Sequence, residues 1–174
     1  LLTVDLAGIQ ANWCWLAAVA RGAECAGVVK ADAYGMGIEP VVKALWEAGC
    51  RTFFVATLTE GRRLKVALPA ATAYVLDGLM PGTAPLYPTY GLRPVLGSLA
   101  EIEEWAAYTR SVGMRLPAAV HIDTGMNRLG LTTAEVEALA ANAAPFEAFP
   151  VALIMSHLAC GDTPGSPMNA RQKS

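Results

Sequence analysis

The chain has 174 residues, of which 54% are hydrophobic and 16% charged, and its formal net charge is −2. This length is enough for one domain with a core, and a near-neutral charge without a basic cluster argues against nucleic-acid binding. No apolar stretch reaches the roughly 18–20 residues that a membrane-spanning helix needs. We see no signal-peptide pattern at the N-terminus, and the missing initiator Met suggests a truncated start.

The four cysteines are widely scattered, at positions 14, 25, 50 and 160. They form no C-x-x-C pair and lack the ligand spacing of a zinc site. Their scatter favours free thiols in a reducing compartment. We therefore expect a cytoplasmic protein without a metal site.

Helical periodicity and short apolar runs alternate along the chain. In chain order, the pattern predicts a helix at 7–21, a strand at 24–30, a helix at 37–48, a strand at 52–57, a helix at 59–67 with Thr59 as its N-cap, a strand at 73–77, a loop at 78–88, a strand at 93–96, a helix capped by Ser98 and running to about 110, a strand at 118–123, a helix capped by Thr132 or Thr133, and a strand at 151–156.

Strands that alternate with helices predict βαβ units and a parallel sheet. The strands are continuous apolar runs, as expected when both faces of a sheet are buried. A closed barrel of such units needs eight strands, so we predict an α/β fold that is an incomplete (β/α)8 TIM-type barrel with about six βα strands. An open doubly wound sheet is the competing fold, but its glycine fingerprint fails here because Pro40 follows Gly35-x-Gly37.

Three polar clusters follow the first, fifth and sixth predicted strands, at residues 30–37, 121–130 and 155–162. The C-terminal strand ends of a βα barrel lie on one face, so we expect these clusters to gather there. The first cluster begins with Lys30, and a lysine amine can form an imine with an aldehyde cofactor.

These clusters also carry a family resemblance. Residues 28–37 (VVKADAYGMG) resemble the pyridoxal-phosphate attachment motif of bacterial alanine racemases, and residues 123–130 (DTGMNRLG) resemble that family's second signature. Ser156-His157 with Ala159 and Asp162 resembles the third signature. The resemblance covers essentially the whole chain. It implies that residues 1–174 are part of the pyridoxal-phosphate-binding barrel of a fold-type III racemase, without its C-terminal β domain.

The resemblance also implies roles for four residues. Lys30 binds pyridoxal 5'-phosphate covalently and acts as base or acid on one face of the substrate Cα. Tyr34 donates a hydrogen bond to the cofactor phosphate, and His157 packs beside the pyridine ring. Arg128 lies near the phenolic oxygen and the substrate carboxylate. The second base is a tyrosine of the missing domain from the partner subunit, which implies a homodimer.

Each of these residues also has a structural interpretation. Lys30 could be a surface lysine, Tyr34 a packed ring, Arg128 an ion-pair partner of Asp123, and His157 a core histidine bonded to backbone. Asp32 is predicted to be a turn residue. The chain departs from the family at His121, where many members have a carbamylated lysine, so the negative charge that orients Arg128 is absent or comes from a small anion or another residue.

The function that the resemblance implies is the interconversion of L- and D-alanine, which supplies D-alanine for peptidoglycan. Serine or another small amino acid is an alternative substrate, and a non-catalytic pyridoxal-phosphate carrier is an alternative class. We expect this chain alone to bind cofactor weakly and not to racemise. An aspartic protease is disfavoured because Asp123-Thr124-Gly125 has no second copy. A metal hydrolase using His121, His157 and Asp162 is disfavoured because no helical i, i+4 histidine pair exists.

Overall fold

The computed structural model describes residues 2–174, and in this part of the chain six parallel strands pair in chain order. The strands are β1 (Gly27–Val28), β2 (Thr52–Val55), β3 (Thr72–Val75), β4 (Arg93–Leu96), β5 (Ala118–His121) and β6 (Val151–Met155). Each strand is parallel to the next one along the chain, which is the arrangement of a (β/α)8 barrel. The predicted fold class, an incomplete barrel, is confirmed.

Helices connect the strands, as the periodicity predicted. They are α1 (Leu6–Val19), α2 (Lys30–Tyr34), α3 (Ile38–Ala48), α4 (Leu58–Ala67), α5 (Leu86–Tyr90), α6 (Leu99–Val112), α7 (Thr133–Ala141) and α8 (Pro167–Arg171), with a 3-10 turn at Ala144–Glu147. The five longer helices lie within about two residues of their predicted positions, which is the usual uncertainty of helix ends. The short helices α2, α5 and α8 were not predicted. The strand predicted at 24–30 is shorter than expected, because β1 comprises only Gly27–Val28 and α2 begins at Lys30.

Two local predictions were wrong. Part of the predicted loop at 78–88 forms α5, because Leu86–Tyr90 makes one helical turn that ends at Gly91 in the left-handed conformation (φ 64°). The N-cap of α4 is Thr57 rather than Thr59, since the Thr57 side chain accepts the backbone N–H of Glu60.

The chain forms two compact units, and β4 contributes residues to both. The first unit runs to Asp77 and includes Pro85–Pro94. Its core contains fully buried side chains from β2, α3 and α4, among them Phe53, Val42 and Leu64. A side chain that loses all of its apolar surface to water is stabilised by roughly 1.5–3 kcal/mol, so these residues fix α3 and α4 against the sheet.

The second unit comprises Gly78–Ala84 and Val95–Ser174. Trp105 on α6 is its largest fully buried side chain, and the Trp105 indole N–H donates to the carbonyl of Leu116 at 3.2 Å. Phe149 is also buried and meets Phe146 edge to face, with ring centroids 5.7 Å apart. These contacts hold the segments before β5 and β6 against α6 and the 3-10 turn.

Three helices begin in the same way, with the sequence Ser/Thr-x-x-Glu. The N-cap side chains of Thr57, Ser98 and Thr132 each accept the backbone N–H of the glutamate three residues on. Each glutamate carboxylate in turn accepts two backbone N–H groups. Glu60 accepts those of Ala56 and Asp32, and Glu101 accepts those of Gly97 and Leu79. Glu135 accepts those of Thr132 and Leu99. One N–H precedes the helix, and the other belongs to a segment that follows an earlier strand. We call each such carboxylate a glutamate clamp.

Helix α4 offers a direct test of the core. Leu64 is fully buried, whereas Val66, two residues away on the same helix, is 78% exposed. We expect Leu64→Ala to lower the free energy of unfolding by about 2–5 kcal/mol because it leaves a cavity, and Val66→Ala to change it by less than about 0.5 kcal/mol. Urea denaturation of both variants measures this difference; equal effects would contradict the packing of α4.

Candidate functional site

Lys30 lies directly after β1, and the chain is fixed on both sides of it. The backbone N–H of Val29 donates to the carbonyl of Phe54 at 2.8 Å, which extends the pairing of β1 with β2 by one residue. Lys30 itself is half-buried. Within residues 2–174 its amine has no hydrogen bond or ion pair, so the nitrogen is available to a ligand.

The short element α2 (Lys30–Tyr34) is not an ordinary helix but a left-handed turn after Lys30, although it contains no glycine. Ala31, Asp32, Ala33 and Tyr34 have φ angles of 52°, 54°, 53° and 55°. Left-handed helical conformation costs roughly 1–2 kcal/mol for each residue with a Cβ. Such a turn persists only where its surroundings determine it, and such strain is concentrated at functional sites.

The Asp32 side chain holds this turn from the inside. One carboxylate oxygen accepts the backbone N–H of Ile38 at 3.0 Å and also lies 2.8 Å from a guanidinium nitrogen of Arg63. The same guanidinium binds Glu39 through two hydrogen bonds of 2.7 Å, which lowers the pKa of the Glu39 carboxyl. The prediction that Asp32 is a turn residue is therefore confirmed.

Tyr34 ends the left-handed turn with its side chain 61% exposed. The interpretation of Tyr34 as a packed ring is therefore wrong. Its exposure leaves the phenol hydroxyl accessible to a ligand. Tyr34 belongs to the same polar cluster of the sequence, residues 30–37, as Lys30.

In the second unit, Asp123 organises the loop after β5. Its carboxylate accepts the backbone N–H groups of Gly125 at 2.8 Å and Asn127 at 3.1 Å, and these hydrogen bonds lower the pKa of Asp123. The ion pairs among residues 2–174 both belong to Arg63. The interpretation of Arg128 as an ion-pair partner of Asp123 is therefore wrong, since neither of these ion pairs involves Arg128 or Asp123.

Gly130 closes this loop against the end of β5. It has φ +108°, and a Cβ there would lie 2.7 Å from the backbone nitrogen of Asp123 and 2.9 Å from the carbonyl carbon of Ile122. Backbone atoms cannot yield as a flexible side chain can, so this position requires glycine. The close approach fixes the stem of the loop that carries Arg128.

His121 is the last residue of β5 and is half-buried. Burial lowers the pKa of its imidazole most, and nearby His157 lowers it further, as does Arg128 more weakly, whereas Asp123 raises it. His157 and Arg128 thus both contribute to the electrostatic environment of His121. His157 is exposed, so its interpretation as a core histidine is wrong.

Sequence reasoning missed Gln172, which ties the segments after β5 and β6 together. Its side-chain amide donates to Thr124 Oγ1 at 3.1 Å and to the carbonyl of His157 at 3.0 Å, and its amide oxygen accepts the N–H of Ala159 at 2.8 Å. Thr124 also bonds Ser156 at 2.6 Å. A glutamine near the end of a polar segment carries no sequence signal of such contacts, which only the fold creates.

No group of three or more His, Cys, Asp or Glu side chains suited to a metal ion occurs in the part of the chain that the structure describes. Nor does any helix there have the length and hydropathy to span a membrane. The first unit thus offers the unpaired amine of Lys30 and the exposed phenol of Tyr34. The second unit separately carries the guanidinium of Arg128 and the imidazoles of His121 and His157.

Parallel strands paired in chain order, with a lysine at the end of the first and polar loops after the fifth and sixth, define the N-terminal part of a βα-barrel protein. Residues 4–174 match the family model of the alanine racemase N-terminal domain, and the chain belongs to this family.

Named relatives agree with this assignment. The chain is 58% identical over 171 residues to the alanine racemase of Methylobacterium nodulans. The matched region is 98% of this chain and 46% of that protein. It is 49% identical over 176 residues to the alanine racemase of Rhodospirillum rubrum, covering 47% of that protein. The chain thus spans about half the length of the curated relatives it matches.

Solved structures agree as well. The alanine racemase of Bartonella henselae, which contains covalently bound pyridoxal phosphate, superposes with a TM-score of 0.94 at 37% identity over 97% of this chain and 49% of that one. The alanine racemase of Streptomyces lavendulae gives a TM-score of 0.86 at 28% identity, over 98% of this chain and 45% of that one.

The lowered pKa of His121 predicts that the stability of the fold depends on pH. Its folded pKa lies below the ordinary value of 6.5, so the unfolded chain binds more protons in mild acid and the free energy of unfolding falls as pH drops through this value. We expect His121→Gln to show a shallower decline between about pH 7 and 5, because it removes the group that takes up the proton. Denaturant titrations across this range measure the slopes, and equal slopes in both proteins would contradict the assignment.

Proposed function

We propose that this chain is the N-terminal part of a pyridoxal-phosphate-dependent racemase that interconverts L- and D-alanine. The observation that carries the proposal is the amine of Lys30, a half-buried residue two positions after β1, which is unpaired within residues 2–174. A member of the same family, from Bartonella henselae, contains covalently bound pyridoxal phosphate. An unpaired amine, with an exposed phenol four residues further along the chain, fits an aldehyde that also carries a phosphate.

The residues fit the cofactor in the following way. Lys30 would hold it covalently, Tyr34 would donate a hydrogen bond to its phosphate, and His157 would pack beside its ring. Pyridoxal phosphate supplies an electron sink that makes the Cα proton of a bound amino acid removable. Lys30, released when the substrate amine binds, would take up or return that proton on one face of the Cα.

Arg128 is the proposed partner of the substrate carboxylate. A guanidinium stays charged and can bind a carboxylate with two hydrogen bonds. Asp123 accepts the N–H groups of Gly125 and Asn127, and Arg128 forms no ion pair among residues 2–174, so its guanidinium is available to an anion. His121 has a lowered pKa and is mainly neutral near pH 7, so it does not supply the negative charge of a carbamylated lysine.

The remaining parts of the proposal concern the complete protein. Racemisation needs a second proton-transfer group on the opposite face of the Cα, and we propose that it comes from a domain outside these residues, in a cytoplasmic homodimer. The product D-alanine would serve peptidoglycan synthesis. The ordered loop from Asp123 to Gly130 supports a racemase over a carrier, because a carrier needs no fixed cation for a substrate carboxylate.

We expect Lys30→Ala in the full-length protein to lose the visible absorbance band of the lysine-bound cofactor and to lose racemase activity, because no amine remains to form the covalent bond. Lys43→Ala, at an exposed lysine of α3, is the matched control and should keep both. The absorbance spectrum and the rate of D-alanine formation measure the outcome. Retention of the band in Lys30→Ala would show that another residue binds the cofactor.

We also expect residues 1–174 alone to bind pyridoxal phosphate weakly and to show no sustained racemase activity, because only one of the two proton-transfer groups is present. Fluorescence titration with the cofactor and a coupled D-alanine assay on the isolated chain, beside the full-length protein, measure this. A sustained rate from the isolated chain would place both proton-transfer groups within these residues.

A further inference from the structure

Lys30 owes its direction to the backbone on either side of it. The preceding residue, Val29, is buried and paired with Phe54 of β2. The following residues form the left-handed turn, in which the N–H of Gly35 donates to the carbonyl of Ala31 at 2.9 Å and the N–H of Gly37 to that of Asp32 at 2.9 Å. If the turn relaxed to the ordinary right-handed region, the chain beyond Lys30 would leave along another path.

Glu60 is the group on another segment that fixes the turn through its backbone. One oxygen of its carboxylate accepts the N–H of Asp32 at 3.1 Å, and the other accepts the N–H of Ala56 at 2.8 Å. Ala56 directly follows β2, so the carboxylate joins the turn after β1 to the end of β2. Hydrogen bonds from N–H groups to a charged acceptor are among the strong ones in proteins.

Arg63, one helical turn after Glu60 on α4, supports the same turn through its side chain. Its guanidinium lies 2.8 Å from the Asp32 carboxylate and is itself held by Glu39. Helix α4 thus contacts Asp32 at two points: Glu60 binds its backbone N–H and Arg63 binds its carboxylate. The Arg63 pair is partly exposed to solvent, and exposed ion pairs contribute little, so the Glu60 contact is the stronger of the two.

We propose that Glu60 is a positioning residue for Lys30: its clamp keeps residues 31–34 left-handed and so directs the lysine amine toward the cofactor. Glu60 acts through the backbone of Asp32. This inference rests on the proposed function, because it assigns Lys30 the covalent bond to pyridoxal phosphate. The residue that reacts, Lys30, is thus distinct from the residue that positions it, Glu60, which lies on α4 after β2.

The chain contains a matched control for this proposal. Glu101 occupies the same position of α6, the third residue after a Ser N-cap, and clamps the N–H groups of Gly97 at 2.6 Å and Leu79 at 3.1 Å. It lies in the second unit, whereas Lys30 lies in the first. Glu60→Gln and Glu101→Gln therefore remove equivalent clamps, but only the first touches the turn after Lys30. Glutamine keeps the shape, yet its amide nitrogen meets one N–H donor with another.

The experiment uses the full-length protein with pyridoxal 5'-phosphate as the probe. We expect Glu60→Gln to slow borohydride-trapped attachment of the cofactor at Lys30 by roughly tenfold or more, in line with the loss of a charge-assisted hydrogen bond. In the cofactor-free protein it should speed amide hydrogen exchange of residues 31–37. Glu101→Gln should leave both measurements within about twofold of the parent while lowering thermal stability comparably. Should Glu60→Gln not fold, Glu60→Asp, one methylene too short to reach both N–H groups, replaces it.

Two results would overturn the proposal: unchanged attachment and exchange in Glu60→Gln, or equal changes in the two glutamine variants, which would mean a general loss of stability. The failure of the proposed function looks different. In that case the parent protein itself attaches no pyridoxal phosphate at Lys30, while exchange in residues 31–37 still reports whether Glu60 holds the turn.

Discussion

The pair of hydrogen bonds that Glu60 accepts from Asp32 and Ala56 is the contact on which the arrangement around Lys30 depends. Four successive residues with a Cβ stand in the left-handed region directly after Lys30, and an isolated peptide of that sequence has no reason to stay there. The parallel order of β1 and β2 brings the start of α4 beside the turn, and the carboxylate then satisfies N–H groups that would otherwise face the helix end unpaired.

The same device recurs at Glu101 and Glu135, so it belongs to the fold before it belongs to the site. A carboxylate in the first helical turn interacts favourably with the positive end of the helix dipole. In a parallel βα arrangement, the start of each helix is also close to a segment that follows another strand. One glutamate side chain can therefore bind the start of its own helix and connect two strand-to-helix segments. A functional site next to such a segment can be positioned by this contact without any additional interaction.

In the second unit, backbone geometry also decides what the charged groups do. Asp123 accepts hydrogen bonds from two N–H groups of its own loop. Gly130 lets that loop pack closely against the end of β5. Arg128 has no ion pair among residues 2–174, and its charge helps to lower the pKa of His121. A guanidinium with a permanent positive charge suits an anionic ligand such as an amino-acid carboxylate.

The sequence alone determined the strands, the longer helices and the family, because these depend on periodicity and on contiguous motifs such as residues 28–37. It could not predict α5, which has too few residues for a period, or the left-handed turn, because alanine and tyrosine do not favour positive φ. Nor could it show that Asp123 bonds backbone rather than Arg128, or that Gln172 joins the loops after β5 and β6 through Thr124, 48 residues before it, and His157, 15 residues before it. Those choices depend on which groups the folded chain brings within hydrogen-bonding distance, and only the tertiary structure decides that.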